Sequence, residues 1–526
     1  MIDDVLAGFL DSLEEREFDA PLVALLRALG YDKIHLLHGS QEFGKDVIAQ
    51  LEEEGGTRVQ CTFQIKAGNL TQSGWRAVRG QLDELRTDQI AHPAFDSDLP
   101  VRPILVLTGR LVGNAPAAAQ QYNAHLSRLG EPNVEVWDRE QLVSFFLNLS
   151  SLGLTGGDRG QLEAIVNEID DGTMTDAALE RFSRRWTAGV GWRAALEAAI
   201  IASRLRRRHR LDLACMTALC LDRAVWAAAH GTEPTSEEAE RIAEVSRMMF
   251  EWYAGELFDL LTADEGISDP KKVAFHEAGV FSTYPVKCLR IVELVSLLAL
   301  LKRDAERDTM ASWLTRFVQS QPGSAHPISD RWAVSLVPTI LLVAATDRSV
   351  ASRYVTELIR WVADHHDDGG VGLAPPFADA RTEVDYLLGG ALEHVNAAKR
   401  RQSYLATVIL DTALACDLED CYELALNEFA AVDARPYAPA PNDDEAQYRV
   451  EDVDVPTDVS PHYTASGTSW RRTREHERPV SFLYLGRLGR YWDLLAVSAV
   501  LRDRHEPAII RELYVRLRGS DASAPA

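Results

Sequence analysis

The sequence predicts a small α/β domain, with a central mixed sheet flanked by helices, followed by a large all-α region of solenoid-like helical hairpins. Three observations predict this. Strand-like and helix-like runs alternate through the first 150 residues, strand signal nearly vanishes after about residue 160, and long amphipathic helical runs fill most of what remains. Alternating elements of this kind fold as a sheet covered by helices. Successive helices without strands pack on one another in pairs.

The elements follow in order. Residues 17–29 (EFDAPLVALLRAL) carry apolar side chains at helical spacing and stop at Gly30. A short strand is expected at 33–37. Two more are expected at 46–51 and 58–66, joined by the hairpin turn EEEGGT. Residues 75–85 read as a helix, 103–107 (PILVL) as a buried strand, 114–129 as a helix ending at Gly130, 133–137 (NVEVW) as a strand and 139–147 as a closing helix. The α/β domain therefore spans 1–150. Residues 151–160 (with LGLTGGDRG) read as a linker, because no G-K-[ST] and no preceding strand support a phosphate loop. An α-helical domain is expected over 161–434, with helical runs such as 175–204, 235–263, 382–396 and 400–416. A long irregular acidic and proline-rich loop occupies 435–479, C-terminal helices 480–518, and a disordered tail 519–526.

Composition narrows the function classes. Hydrophobic content of 46% and charged content of 25% are those of a water-soluble globular protein. The start, MIDDVLAGFLDSLEE, is acidic and amphipathic rather than signal-like, and the most apolar later runs fall short of the roughly 20 residues a span needs. A cytoplasmic protein without membrane association is expected. The six cysteines form no C-x-x-C pair and sit in apolar runs, so buried structural thiols are expected. The net charge of −24 argues against a free-standing, high-affinity DNA binder, because phosphate contacts need clustered Lys and Arg. Residues 1–150 hold 13 Lys+Arg against 22 Asp+Glu, so the α/β domain is itself acidic. Weak intrinsic affinity for nucleic acid follows, with a need for a dimer, a higher oligomer or a partner that delivers substrate.

The stretch from Gly39 to Lys66 carries the chemistry. Asp46 opens one strand and Gln64-Ile65-Lys66 closes the next. Strand alternation puts Val59, Cys61, Phe63 and Ile65 on a core face, and Gln60, Thr62, Gln64 and Lys66 on the other. The Asp46 carboxylate and the Gln64 side-chain oxygen can meet at one end of the sheet. The Ile65 backbone carbonyl can join them as oxygen ligands for a hard divalent ion, Mg2+ or alternatively Mn2+. Such an ion acidifies a bound water and neutralises charge on phosphate. Lys66 would orient the water and add positive charge.

Residues 18–81 resemble the Mrr-like branch of the PD-(D/E)xK restriction-endonuclease superfamily. Phe18-Asp19, Leu25-Leu26 and Gly30-Tyr31 resemble its first-helix pattern. His38-Gly39, Glu42, Gly44 and Asp46 resemble its H-G-x-x-E-x-G-x-D segment, and Gln64-Ile65-Lys66 its Q-x-K tripeptide. The resemblance covers about the first 150 residues. It implies a metal-dependent endonuclease centred on Asp46, Gln64 and Lys66, with Glu42 as a further site residue. It also implies a first-helix carboxylate, Asp19 or Glu17, as a metal ligand and Gln81 as a supporting residue on the following helix. Glutamine in place of the usual acid lowers the site's negative charge and weakens metal binding in isolation.

Other candidates are weaker. Arg206, Arg207 and Arg208, within the run RLRRRHR at 204–210, offer phosphate contacts, although a basic run between two helices is also an ordinary solvated face. His365-His366-Asp367-Asp368 has metal-ligand residue types, but adjacent positions on a helix diverge. The leading expectation is a DNA endonuclease effector of a prokaryotic restriction or antiphage system. Its helical part would serve as sensor or oligomerisation scaffold, with a sensor ATPase as one partner. Two alternatives stand beside it: an inactive nuclease-like scaffold that docks partners, and an effector that cleaves RNA.

Overall fold

The computed structural model describes residues 2–37, 45–53, 55–87, 92–148, 159–187, 191–229, 237–263, 280–389, 400–437, 439, 463, 491–502, 505 and 507–519. Glu42, residues 151–158 of the expected linker 151–160, nearly all of the long loop and nearly all of the tail lie outside these residues, while residues 159–160 of that linker already belong to a helix. The chain forms two compact units, one of Met1–Val225 with Thr235–Trp252, the other of Trp226–Pro234 with Tyr253–Ala526.

The first unit opens with helices α1 (Ile2–Ser12) and α2 (Asp19–Ala28), joined by a 3-10 turn at Arg16–Phe18. The expected helix over 17–29 thus begins at Asp19, and Ile2–Ser12 is a helix that the periodicity reading did not name. At the predicted Gly30 stop, Tyr31 N donates to Leu26 O at 3.0 Å and closes the last turn. Five strands follow: β1 (Asp32–Leu36), β2 (Val47–Glu52), β3 (Arg58–Lys66), β4 (Val101–Leu107) and β5 (Glu135–Trp137), in spatial order 1-2-3-4-5. The first three pair antiparallel and the last three parallel. The mixed sheet and its flanking helices agree with the coarse expectation, and β3 is its central strand.

Helix α3 (Gln72–Thr87) links β3 to β4, α4 (Ala115–Leu129) links β4 to β5, and α5 (Arg139–Asn148) follows. In α3, Trp75, Val78, Leu82 and Leu85 recur at helical spacing and are all buried. They share a core with Leu105 and Leu107 of β4 and Tyr122 of α4. On the opposite face of the sheet Phe63 meets Tyr31 and Trp137 edge-on, with ring centroids 5.7 and 5.6 Å apart.

The polar face of β3 is buried as well: Gln60, Thr62 and Gln64 are all shielded from solvent. The cause is α3, whose Leu85 carbonyl accepts from Thr62 Oγ1 at 3.1 Å. A strand flanked on both sides in the sheet and covered on both faces must satisfy its polar side chains internally.

Beyond the linker, α6 (Arg159–Asp170), α7 (Asp176–Thr187) and α8 (Trp192–Arg207) also belong to the first unit, with α8 packed on α1, α2 and α6. The single run expected over 175–204 is therefore two helices, and α8 begins with Gly191 at its N-cap. Helices α9 (Leu211–Ala229) and α10 (Glu237–Ala263) follow.

The second unit is almost wholly helical among its described residues. Helices Leu336–Thr346, Arg348–His366, Tyr404–Ala415 and Glu419–Ala431 pack on one another. The run expected over 382–396 is seen as Ala380–Leu387, and the C-terminal segment as Tyr491–Leu501 and Pro507–Gly519. A two-residue parallel bridge, Gln402–Ser403 on Arg435–Pro436, is a strand pairing that the sequence did not announce. Two buried carboxylates tie the unit together. Glu293 accepts from Arg290, Arg502 and Ser335 at 2.6–2.8 Å. Asp330 accepts from Arg400 at 2.7 Å and from the backbone N–H groups of Tyr404 and Leu405 at 2.9 Å. All six cysteines are buried thiols, as their apolar contexts predict. No helix among the described residues is long and apolar enough to cross a membrane.

Candidate metal and phosphate site

Asp46 sits just before β2, and the sheet register holds it. Its N–H donates to Phe63 O and its carbonyl accepts from Leu37 N, both at 2.8 Å. Its carboxylate then reaches past Phe63 to the end of β3. Asp46 Oδ2 accepts from Gln64 Nε2 and from the Ile65 backbone N–H, each at 2.5 Å. The sequence-predicted Asp46, Gln64 and Ile65 therefore converge.

Gln64 is 2% exposed, and its Oε1 has no hydrogen-bond partner among the described residues. A buried amide oxygen without a partner is costly, on the order of 1–3 kcal/mol. Its Nε2 also lies 3.5 Å from Ile65 O. The Gln64 amide thus turns its nitrogen, not Oε1, to both oxygens; rotation of the amide would add Oε1 to the Asp46 carboxylate and the Ile65 carbonyl as a third oxygen donor. That donor set suits a hard divalent cation, which takes carboxylate, amide and backbone oxygens together with waters. It holds a single carboxylate. Among the described residues no group of three or more His, Cys, Asp or Glu side chains is placed to hold a metal.

Lys66 lies two residues beyond Gln64 on the same face of β3. Its Nζ donates to Glu15 Oε1 at 2.8 Å, and the two side chains are 24% and 45% exposed. Glu15 is the acidic residue that the sequence reading missed. It belongs to the run Glu14-Glu15-Arg16-Glu17, just ahead of Glu17 and Asp19, the two carboxylates that flank Phe18. Of those two, Glu17 turns elsewhere: it accepts from Glu14 N at 2.9 Å and from Arg206 Nη1 at 3.1 Å. Asp19 is partly buried in the first turn of α2. Gln81 lies on the exposed face of α3, and Trp75 on the same helix packs edge-on against Tyr122.

The loops after β3 and β4 fix the Lys66 end. Gly68 N donates to Thr108 Oγ1 at 2.8 Å, and Thr108 N to Lys66 O at 3.2 Å. A Cβ at Gly109 would sit 2.4 Å from the Gly68 carbonyl carbon, so only glycine permits this approach. Lys45 is a second cation of the neighbourhood. It is 1% exposed and donates to the Glu84 carbonyl of α3 at 2.8 Å. Cys61, on the opposite face of β3, is no nucleophile, since burial pushes its thiol up to about 12.

The basic run is engaged within the protein. Arg204 pairs with Asp170, at 2.7 Å through Nε, and Arg208 reaches the same carboxylate at 3.3 Å. These two guanidiniums, Arg204 first, hold the Asp170 carboxyl below its usual range. Arg206 binds Glu14 and Glu17, and Arg207 donates to Gly8 O at 3.4 Å. His365 and His366 do not converge on a metal: their Nδ1 atoms meet Trp361 O and Val362 O, each at 2.8 Å, along their own helix.

No protein-family model, no curated protein and no solved structure matches this chain.

Proposed function

We propose that the first unit is a metal-dependent endonuclease of the PD-(D/E)xK restriction-endonuclease-like type. The observation that carries this reading is the meeting of Asp46, Gln64 and Ile65 at one sheet end, with a buried Gln64 Oε1 that has no partner among the described residues and Lys66 next on that face. With the Gln64 amide turned so that Oε1 takes the place of Nε2, Asp46, Gln64 Oε1 and the Ile65 carbonyl would hold Mg2+ or Mn2+. Once bound, the ion supplies Lewis acidity and an acidified water. Lys66 contributes a positive charge that pairs with the scissile phosphate and steadies the attacking water. The rigid β3–β4 loop pair holds that ammonium in register with Asp46.

DNA is the substrate favoured here, with RNA as the competing polymer. The large helical region is read as the sensor or scaffold of a restriction or antiphage effector. That role draws its support only from the joining of a nuclease-like unit to a helical one. The test is cleavage of supercoiled plasmid and of a structured RNA, with Mg2+ and with Mn2+, by the full chain. Lys66→Ala and Asp46→Asn should each lower the rate at least a hundredfold, the scale on which removal of one transition-state charge partner acts. Equal cutting by wild type and both variants sinks the assignment.

A second reading has its own observation. Lys66 is already neutralised by Glu15, and Asp46 Oδ2 is already satisfied by two N–H donors. A non-catalytic, partner-docking unit would look the same at rest. Absence of metal-dependent cleavage together with absence of a metal-induced shift in melting temperature selects it.

A further inference from the structure

Lys66 connects to α8 through a relay of charged side chains in the turn between α1 and α2. The turn carries three glutamates, Glu14, Glu15 and Glu17. Glu17 folds it by accepting the Glu14 N–H at 2.9 Å, and its own side chain is 1% exposed. A carboxylate so far from water needs a counter-charge. Arg206, in the last turn of α8, supplies it. One arm of the guanidinium lies 3.1 Å from Glu17 Oε2, and the other 2.8 Å from Glu14 Oε1. A planar fork suits two acceptors at once, where an ammonium would act as a single point charge. Two of the three carboxylates are thereby fixed by α8. The third, Glu15, is left facing Lys66 at 2.8 Å.

We propose that Arg206 is a positioning residue that straps this turn so that Glu15 holds Lys66 in a resting latch, which a polyanionic substrate must displace. The inference rests on the nuclease reading for its consequence, but not for its geometry. The two contacts differ in strength in the way a latch requires. The Glu17–Arg206 pair is largely out of water, with side chains 1% and 19% exposed, so breaking it strands a buried charge. The Lys66–Glu15 pair is half solvated, and pairs of this kind shift an equilibrium by no more than about fivefold. A phosphate brought beside Lys66 can therefore take the ammonium from Glu15 without disturbing the strap. Arg206 thus acts on the site through protein carboxylates and not through the nucleic acid.

Two measurements on the full chain test this together. The first is labelling of Lys66 by a mild amine acylating reagent, read by mass spectrometry. Glu15→Gln should raise it about two- to fivefold. Arg206→Gln/Glu17→Gln, which leaves no unpaired buried charge and so folds, should raise it similarly. Glu357→Gln, far along the chain, should leave it unchanged. Unchanged Lys66 labelling in Glu15→Gln overturns the latch, and unchanged labelling in the paired variant overturns the strap.

The second measurement is plasmid cleavage. Glu15→Gln and the paired variant should each lower KM by about two- to fivefold with kcat retained, and combining all three substitutions should give no further gain, as expected when changes act on one contact. A raised KM with a shallower salt dependence in the paired variant would show that Arg206 touches nucleic acid and would overturn the strap. Raised labelling in Glu15→Gln and in the paired variant, with a wild-type chain that cuts nothing, would leave the latch standing and remove the nuclease reading.

Discussion

Gln64→Glu is the most informative single substitution, because its cost depends on both metal and pH. In the resting site Gln64 Nε2 donates to Asp46 Oδ2 at 2.5 Å. Glutamate puts a carboxylate where that donor stood. Two carboxylates at such a distance repel, by several kcal/mol at 4 Å and an effective dielectric of about 20. The chain has a cheaper escape, which is to bind one proton and share it between the two acids. From an unperturbed glutamate near 4.3, protonation at pH 7 costs about 3.7 kcal/mol, at about 1.36 kcal/mol per unit. That figure caps the loss. At pH 5 the same cost falls to about 1 kcal/mol. The sign follows from linkage. The folded variant binds the proton more tightly than the unfolded chain, so its stability deficit is full at neutral pH and shrinks as pH falls towards the unfolded value. In EDTA at pH 7 the first unit should therefore melt lower than wild type, at roughly 2–4 °C per kcal/mol for a unit of this size. Mg2+ or Mn2+ at a hundred times its dissociation constant should return about 2.7 kcal/mol. The assay is calorimetry or near-UV circular dichroism at pH 7 and pH 5, with EDTA and with each metal. A variant as stable as wild type in EDTA at pH 7 would refute the carboxylate juxtaposition. A deficit that metal leaves in place would refute the oxygen cluster as a metal site.

Further outcomes follow from other contacts. Gly109→Ala must push apart the loops after β3 and β4, since its Cβ would lie 2.4 Å from Gly68 backbone; over-packing of this kind costs about 1–3 kcal/mol and should lower both melting temperature and cleavage. Glu293→Gln leaves the Arg290 and Arg502 guanidiniums facing a neutral amide in a fully buried position. A loss of about 3–5 kcal/mol in urea unfolding of the second unit is expected, and one below about 1 kcal/mol would show that the ion cluster is dispensable. His366 titrates below its usual value because burial disfavours the imidazolium; its Nδ1 is spent on Val362 O, and its Nε2 has no partner among the described residues. The unfolded chain binds that proton below about pH 6.5 and the folded one does not, so stability should fall as pH drops through that window. His366→Gln should flatten the slope between pH 7.5 and 5.5, and an unchanged slope would rule this histidine out as its source.

Periodicity and turn chemistry made the sheet and its helices legible. The Gly30 stop, the hairpin turn, and the β3–α3–β4 succession all follow from local sequence, and the Asp46–Gln64 contact follows from them. The pairing register brings Asp46 beside Phe63, one residue from Gln64. Two things were not legible. Strand parity gave the face of Gln64 and Lys66 but not its burial, because a covering helix is a tertiary fact and α3 covers that face. Glu15 was hidden for a related reason. Its distance to Lys66 depends on how tightly the chain turns between α1 and α2, and that turn is set by Arg206, nearly two hundred residues away in sequence. Charge counting alone could not assign Arg206–Arg208 to phosphate or to protein, since a guanidinium satisfies either partner equally.

The glutamine at 64 and the glutamate at 15 have a common physical consequence on the proposed reading. With an acid at 64 the empty cluster would repel itself and hold metal strongly. With glutamine the resting cluster is stable, and one carboxylate gives only a weak grip on a divalent ion. Lys66 is meanwhile paired. Metal alone gains little, and phosphate alone meets an acidic domain with a surplus of nine carboxylates within residues 1–150. The two bound together gain more than either alone, because phosphate oxygens complete the ion's shell, the ion offsets phosphate charge, and the released ammonium finds a new partner. Such a site responds to a high local concentration of polyanion rather than to bulk nucleic acid. On the proposed reading, substrate would have to be delivered, either by a second copy of the chain that engages the same duplex or by a partner that already holds it. Covalent tethering of a short oligonucleotide near the site should raise turnover far more than the equivalent free concentration does, and equal turnover would show that delivery is not what limits it.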